Sequence, residues 1–215
     1  MADRSALILE DISIRLHGRR LIALAGRVEP GTVLTVMGPS GSGKSTLLAF
    51  IGGFLDPVFS AQGRVSSGAV VLTDLPAEER RAGILFQDPL LFPHLSVADN
   101  IAIAVPGAVR SPRQRRQMAM AALERVGLAG FGKRDPETLS GGQKARVALQ
   151  RVLVSEPRLL LLDEPFSKLD ATLRDQVREM VFAEARTAGL PMILVTHDAA
   201  DAVAAGGPVH NVGAE

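Results

Sequence analysis

Gly38-Pro39-Ser40-Gly41-Ser42-Gly43-Lys44-Ser45 fits the pattern G-x-x-x-x-G-K-[ST], and its chemistry follows from the residue types. Glycines let successive backbone N–H groups converge on phosphate oxygens, and the start of a helix adds positive potential. A lysine can then reach the β and γ phosphates, and a hydroxyl is a hard ligand for magnesium. Lys44 and Ser45, followed by Thr46, stand where that chemistry needs them. Thr32 to Met37 before the loop reads as a strand and Thr46 to Phe54 after it as a helix. In that context the pattern is a phosphate loop and not merely a glycine-rich turn.

A second group is Leu159-Leu160-Leu161-Leu162-Asp163-Glu164, an apolar run ending in two adjacent carboxylates. Four apolar residues in a row suit a parallel strand buried on both faces. Ligands of open α/β sheets bind beyond the carboxyl ends of the strands, so the two acids are expected to face the phosphates. Asp163 then suits magnesium, directly or through water, and Glu164 suits polarisation of an attacking water. A solvated turn is the alternative for an acidic pair standing alone. The third group is Leu139-Ser140-Gly141-Gly142-Gln143. Ser140 with Gln143 three residues on is a capping box and accounts for both of those residues. It does not account for two glycines in the first turn, each costing about 1 kcal/mol of helix propensity. Exposed N–H groups at a helix start bind anions, so Ser140 to Gln143 is a second candidate phosphate site. It does not easily serve the same phosphate as Lys44 within one chain.

The elements that must position these groups alternate between strand and helix. In Leu7 to Leu16, Ile12, Ile14 and Leu16 alternate with Asp11, Ser13 and Arg15, and Gly68 to Leu72 repeats a β-branched pattern. From about residue 110 the pattern turns helical. Ser111, Pro112 and Gln114 occupy N-cap, N1 and N3 of a helix that closes at Gly127. Leu173, Val177, Met180 and Val181 recur at helical spacing before Gly189, and Met192 to Val195 reads as a strand. The class is α/β, with a helical lobe over about 88–155 inserted between core segments at about 1–87 and 156–215, all within one domain.

Composition narrows the function. There is no cysteine among the 215 residues, which removes disulfide frameworks, zinc knuckles and thiolate catalysis. A net charge of +1 gives no electrostatic case for nucleic acid. The longest stretches without a charged residue are Pro30 to Gly43 and Ala202 to Ala214, of 14 and 13 residues, short of the ~20 a spanning helix requires. Met1-Ala2-Asp3-Arg4-Ser5 lacks the basic and apolar regions of a secretory signal. The expectation is a cytoplasmic protein.

In order and spacing, six motifs resemble the nucleotide-binding subunits of ATP-binding cassette (ABC) transporters. They are Gly38 to Ser45, Gln87 in Phe86-Gln87-Asp88, Leu139 to Gln143, Leu160 to Glu164, Ser167-Lys168-Leu169-Asp170, and His197 in Thr196-His197-Asp198. The resemblance covers about residues 7 to 205. Leu91 to Val97 and Asp163 to Ser167 look most like the single-cassette ATPases of bacterial importers for thiamine, molybdate, iron, polyamines or sugars. The resemblance implies a P-loop NTPase core with an antiparallel β subdomain and an inserted α-helical subdomain. It further implies a head-to-tail homodimer with two ATP molecules at the interface.

Carried residue by residue, Gly38 to Thr46 of one chain hold phosphates, with Pro39, Ser40, Gly41, Ser42 and Gly43 shaping the loop. Ser140, Gly141, Gly142 and Gln143 of the partner belong to the ATP-binding set, with Ser140 and Gly142 facing the γ-phosphate. Ser45, Gln87 and Asp163 serve Mg2+, with Gln87 reaching the metal or the lytic water. Glu164 is the general base, His197 contacts the γ-phosphate, and Asp170 helps align the two sites, although it reads equally as a helix N-cap. The implied partners are a transmembrane permease and an extracytoplasmic solute-binding protein, with the subunit peripheral on the inner face of the cell membrane. Rival readings fit less well: cassette ATPases of DNA or ribosomes need a coiled-coil insertion or a second cassette, and kinases or GTPases have no use for Leu139 to Gln143. Arg110, Arg113, Arg115 and Arg116 read as a solvated helix start or a patch near anionic headgroups.

Three departures stand out. No aromatic residue precedes the phosphate loop to stack on adenine, leaving Leu16 or His17 to do so. Lys168 stands where a small or amide residue is usual, and Gln143 is followed by Lys144-Ala145-Arg146 without a second Gln. The chain continues 18 residues past His197, so no C-terminal regulatory β-domain is expected, and at most one short strand.

Overall fold

A computed structural model describes residues 5–213. Residues 1–4, on which the reading of the N-terminus rests, and residue 214, the end of the second uncharged stretch, lie outside the described residues. The alternation of Leu7–Leu16 forms strand β1 with Leu7, Leu9, Ile12 and Ile14 buried. β1 turns back through His17 (φ 49°) and Gly18 (φ 82°) into β2, Arg19–Val28, to which it pairs antiparallel. Two residues with positive φ match the right-handed twist of a hairpin. β4 (Phe59–Ser67) pairs with the other edge of β1, and β5 (Val70–Val71) completes a sheet of order β2-β1-β4-β5. Where Gly68 to Leu72 reads as a strand, only two residues pair; Leu72–Asp74 turns into a single 3-10 turn.

The second sheet carries the chemistry. β3 (Val33–Met37) leads to helix α1 (Lys44–Gly52); a short helix α2 (Ala77–Arg80) precedes β6 (Ala82–Leu85). β7 (Leu159–Asp163), β8 (Met192–Thr196) and β9 (Val209–Asn211) complete the order β6-β7-β8-β3-β9, in which β7, β8, β3 and β9 pair in parallel. β3, β7 and β8 are buried almost throughout, as their apolar runs require. Leu34, Val36, Leu47, Ile51, Leu161, Ile193 and Val195 join Ile12, Ile14 and Val65 in one core.

The chain divides into two compact units, the first made of residues up to Ile84, Arg158–Glu164 and from Ala185 onward, the second of Leu85–Pro157 and Pro165–Glu184. The second contains α3 (Val97–Ala102), α4 (Pro112–Arg125), α5 (Gly141–Val154) and most of α6 (Ala171–Thr187). Val97, Ile101, Ala119, Leu123, Leu139 and Val147 form its core. α4 begins as its sequence dictates, with Ser111 Oγ accepting from the N–H of Gln114 and Pro112 at the first position. Most of α6, which the sequence groups with the core segments, belongs to this helical unit. The physical reason is close packing: a Cβ on Gly142 would stand 2.6 Å from Leu173 Cδ1. The buried Gln150 also donates to Glu184 at 3.2 Å. α7 (Ala199–Ala205) returns to the first unit. Among the described residues no helix is long and apolar enough to cross a membrane. The fold is a P-loop NTPase core with an antiparallel β subdomain and an inserted helical subdomain.

Candidate nucleotide-binding and catalytic site

The loop between β3 and α1 takes its shape from glycine. Gly43 is the N-cap of α1 at φ 90°, so the helix begins at Lys44, two residues earlier than the sequence suggests. Gly41 is also left-handed, at φ 79°. Gly38 is required for a different reason: a Cβ there would lie 2.5 Å from the carbonyl oxygen of Val212 and 3.0 Å from Ser42 Oγ. Ser42 Oγ is itself buried without a hydrogen-bond partner, a polar atom of the kind a ligand satisfies. Pro39, Ser40 and Gly41 form the rim, with Ser40 and Gly41 exposed.

Lys44 is only 5% exposed. Its ammonium donates to the carbonyls of Gly38 at 2.8 Å and Pro39 at 2.9 Å, and lies 3.8 Å from Glu164 Oε1. Ser45 Oγ donates to Asp163 Oδ1 at 2.8 Å, across a chain separation of 118 residues. Thr46, half-buried, follows in the first turn of α1. The expected convergence of the first two motifs is therefore present at the carboxyl ends of β3 and β7. Burial pushes the Asp163 carboxyl above the ordinary aspartate range, with the charge on Glu164 adding to the rise, while the Ser45 hydroxyl and the Lys44 ammonium oppose it.

Glu164 leaves β7 with φ 44°, its N–H donating to the Val195 carbonyl of β8 at 3.0 Å. A left-handed backbone at a residue with a side chain is the local strain often found at functional positions. Its Oε2 lies 3.0 Å from Nδ1 of His197, which is exposed at the end of β8. Three residues that sequence reasoning did not single out fix this loop. Thr196 Oγ1 donates to the buried Asp201 at 2.8 Å and accepts from the Asp198 N–H at 3.0 Å; Asp198 Oδ1 caps α7 through Ala200. The T-x-D spacing before a short helix was the available signal. Arg80 was also missed: 9% exposed, it donates to the carbonyls of Phe50, Ile51 and Leu75, closing the C-terminal end of α1.

The remaining predicted residues lie in the helical unit. Gln87 is exposed, directly after β6. Ser140 and Gln143 form the complete capping box: Gln143 N–H to Ser140 Oγ at 3.3 Å, Ser140 N–H to Gln143 Oε1 at 3.1 Å. The N–H groups of Gly141 and Gly142, in the first turn, have no intrahelical acceptor by the geometry of any helix start. Gly142 has a packing reason as well, since Leu173 leaves no room for a side chain. Asp170 is an N-cap, its Oδ1 accepting from Leu173 N–H at 3.0 Å. Of the apolar residues between Gln87 and Ser111, Leu90 and Phe92 are exposed, whereas Val97 belongs to the helical core.

At the hairpin between β1 and β2, Leu16 is half-buried and His17 exposed. Phe59 lies opposite Leu16 on β4, but it is packed against the core of the first unit.

Residues 21–167 match the family described as ABC transporter. An uncharacterized ABC transporter ATP-binding protein of Escherichia coli K12, YnjD, is 46% identical over 196 residues, 91% of this chain and 90% of that protein. The Fe(3+) ions import ATP-binding protein FbpC of Rhizobium etli is 44% identical over 177 residues, 82% of this chain but 49% of the relative. The chain thus spans about half that relative's length. Among solved structures, the dimeric post-hydrolysis state of the ATP-binding cassette MJ0796 bound to ADP and Pi superimposes with a TM-score of 0.77 at 28% identity, covering 96% of this chain and 94% of the other. With a family match over most of its length and a relative aligned along nearly all of it, the chain belongs to the ABC transporter family, as an ATP-binding cassette that couples ATP hydrolysis to transport.

Proposed function

We propose that the chain is the ATP-hydrolysing subunit of a bacterial importer, working as a head-to-tail homodimer that closes around two ATP molecules. Gly38 to Thr46 bind the triphosphate of one ATP, and Ser140 to Gln143 of the second copy face its γ-phosphate. Ser45 and Asp163, two hard oxygen donors 2.8 Å apart, would hold Mg2+, with Gln87 reaching the metal or the lytic water. One hydroxyl and one carboxylate suit an ion otherwise held by phosphate and water. The metal, when bound, neutralises charge on the β and γ phosphates. The chain's own residues do the rest. Lys44 shields phosphate charge, Glu164 accepts the proton of the attacking water, and His197, its Nδ1 3.0 Å from Glu164, keeps the base oriented and turns Nε2 toward the γ-phosphate. Leu16 and His17 contact the base without a stacking aromatic, so base recognition is loose. Asp170 combines capping of α6 with alignment of the two sites.

The permease is proposed to dock on the groove beside Phe92, a cavity of about 320 Å3 lined by Asp88, Leu90, Leu91, Pro93, Glu137 and Lys144. The iron-import relatives support an importer; a solute-binding protein outside the membrane and a place for this subunit on its inner face belong to the same proposal. The observation that carries the catalytic reading is Glu164 held between Lys44, 3.8 Å away, and His197, 3.0 Å away. The test is Glu164→Gln: turnover should fall by about 10²- to 10⁴-fold while ATP still binds, and the variant should sediment as a dimer with ATP and magnesium. Near-normal hydrolysis would remove Glu164 from its role.

A further inference from the structure

The segment that follows Gln87 is held at three points. Farthest along, the carboxamide of the buried Asn100 takes both polar groups of the Phe92 backbone, accepting from its N–H at 2.8 Å and donating to its carbonyl at 3.0 Å. Closer to Gln87, Arg151 of α5 donates to the carbonyls of Leu90 at 2.8 Å and Pro89 at 3.0 Å, its guanidinium 5.4 Å from the Phe92 ring. The last hold before Gln87 is a side-chain pair. Lys168 Nζ donates to Asp88 Oδ1 at 2.5 Å, across a chain separation of 80 residues.

The lysine end of this pair stands on a fixed turn. Phe166 and Leu169 on either side are buried, Phe166 packs edge-on against Phe182, and Leu169 N–H donates to the Phe166 carbonyl at 3.1 Å. Arg174 donates to the Leu169 carbonyl at 2.9 Å. This turn is the chain's continuation of Glu164, so the pair ties the segment after one catalytic carboxylate to the residue beside Gln87. Neither side chain is needed for the fold: they are 52% and 59% exposed, and pairs so placed contribute little to stability. A largely exposed charge that bonds at 2.5 Å from an anchored turn is suited to positioning.

We infer that Lys168 is a positioning residue for Gln87, holding it through Asp88 in the orientation used during hydrolysis. This rests on the role proposed above for Gln87. ATP affinity belongs to Lys44 and Ser45, so the pair should act on kcat and leave KM alone.

The test is a double-mutant cycle on the full chain. Lys168→Ala and Asp88→Ala should each lower kcat by about 1.5- to 5-fold, the range that an exposed pair can supply, with KM for ATP and the melting temperature unchanged. The double variant should be no worse than either single one. The exchange Lys168→Asp with Asp88→Lys should recover activity, and the ratio of wild type to Lys168→Ala should approach one in 1 M NaCl, where screening is nearly complete. In a Gln87→Ala background, Lys168→Ala should have no further effect, a result that a merely structural role would not give. Independent, multiplying effects of the two single variants, or a full effect of Lys168→Ala without Gln87, would overturn the inference while leaving the proposed function intact. A wild-type kcat for Gln87→Ala would instead overturn the role given to Gln87, and this inference with it.

Discussion

His197 Nδ1 lies 3.0 Å from Glu164 Oε2, so the imidazole stands in close polar contact with the proposed base. With Nδ1 donating, the free Nε2 accepts in the neutral ring and donates only in the charged one. His197→Ala therefore removes both the orientation of Glu164 and a contact to the γ-phosphate. We expect kcat to fall by roughly 10²-fold or more with nucleotide affinity retained. Single-turnover hydrolysis alongside equilibrium binding of a labelled nucleotide separates the two, and a variant with normal single-turnover rates would place His197 outside the reaction.

A stability prediction follows from Asp163. Burial raises its carboxyl above the unfolded value, so between those two values the native state binds more protons than the unfolded chain, and stability falls as pH rises through the folded value. Near neutral pH the native protein carries a charge it would be more stable without. Asp163→Asn, which keeps an oxygen for Ser45, should raise the melting temperature of the nucleotide-free protein in EDTA at pH 7 to 8. Below the unfolded carboxylate range, about pH 4, the gain should vanish. A melting temperature lowered at neutral pH would show that the charge on Asp163 is a net stabiliser.

Arg80 gives a prediction far from the phosphates. Its guanidinium satisfies carbonyls at the end of α1 at 2.7 Å and 3.1 Å, and burial makes the residue costly to shorten. Arg80→Ala should lose about 2 kcal/mol or more of stability. Arg80→Lys should recover little, because an ammonium lacks the planar fork. Urea unfolding measures both; an Ala variant within 0.5 kcal/mol of wild type, about the usual spread of neutral substitutions, would contradict the assignment.

The docking proposal is tested at Phe92. Its ring is 40% exposed while its backbone is secured by Asn100, so Phe92→Asp should leave the isolated subunit folded and hydrolysing ATP. Co-purification with the cognate permease should drop by tenfold or more, about 1.4 kcal/mol, and transport should fail with it. Unchanged co-purification and transport would move the docking surface elsewhere.

Where a segment's pattern is local, the sequence was sufficient. β1 is found residue for residue, because alternation and a buried face coincide, and the first turns of α4 and α5 follow from Ser-Pro-x-Gln and Ser-x-x-Gln caps. β4 was not legible: Phe59–Ser67 is mostly polar with no clean apolar alternation, and it is a strand because β1 offers it an edge. Missing β4 also hid the fact that Phe59 lies beside Leu16. Val97, the last of the apolar residues from Leu91 onward, is turned inward because Ser96 capping through Asp99 N–H makes it the first residue of α3. At the site, the meeting of Ser45 with Asp163 was legible from strand ends alone. The contacts of Arg80 and Lys168 were not, because each is a long side chain finding a partner set by tertiary position.

β9 has a consequence reaching back to the phosphate loop. Pro208 accepts from Thr35 N–H at 2.9 Å, Val212 N–H donates to the Met37 carbonyl at 2.7 Å, and the Val212 carbonyl stands where a side chain on Gly38 would have to go. The loop that meets ATP first in the sequence is therefore completed by residues translated some 170 positions later. On a ribosome the nucleotide cradle has no back wall until β9 has followed β3 out of the tunnel. A nick at Gly206-Gly207 is expected to weaken nucleotide binding without touching one residue proposed to contact the ligand.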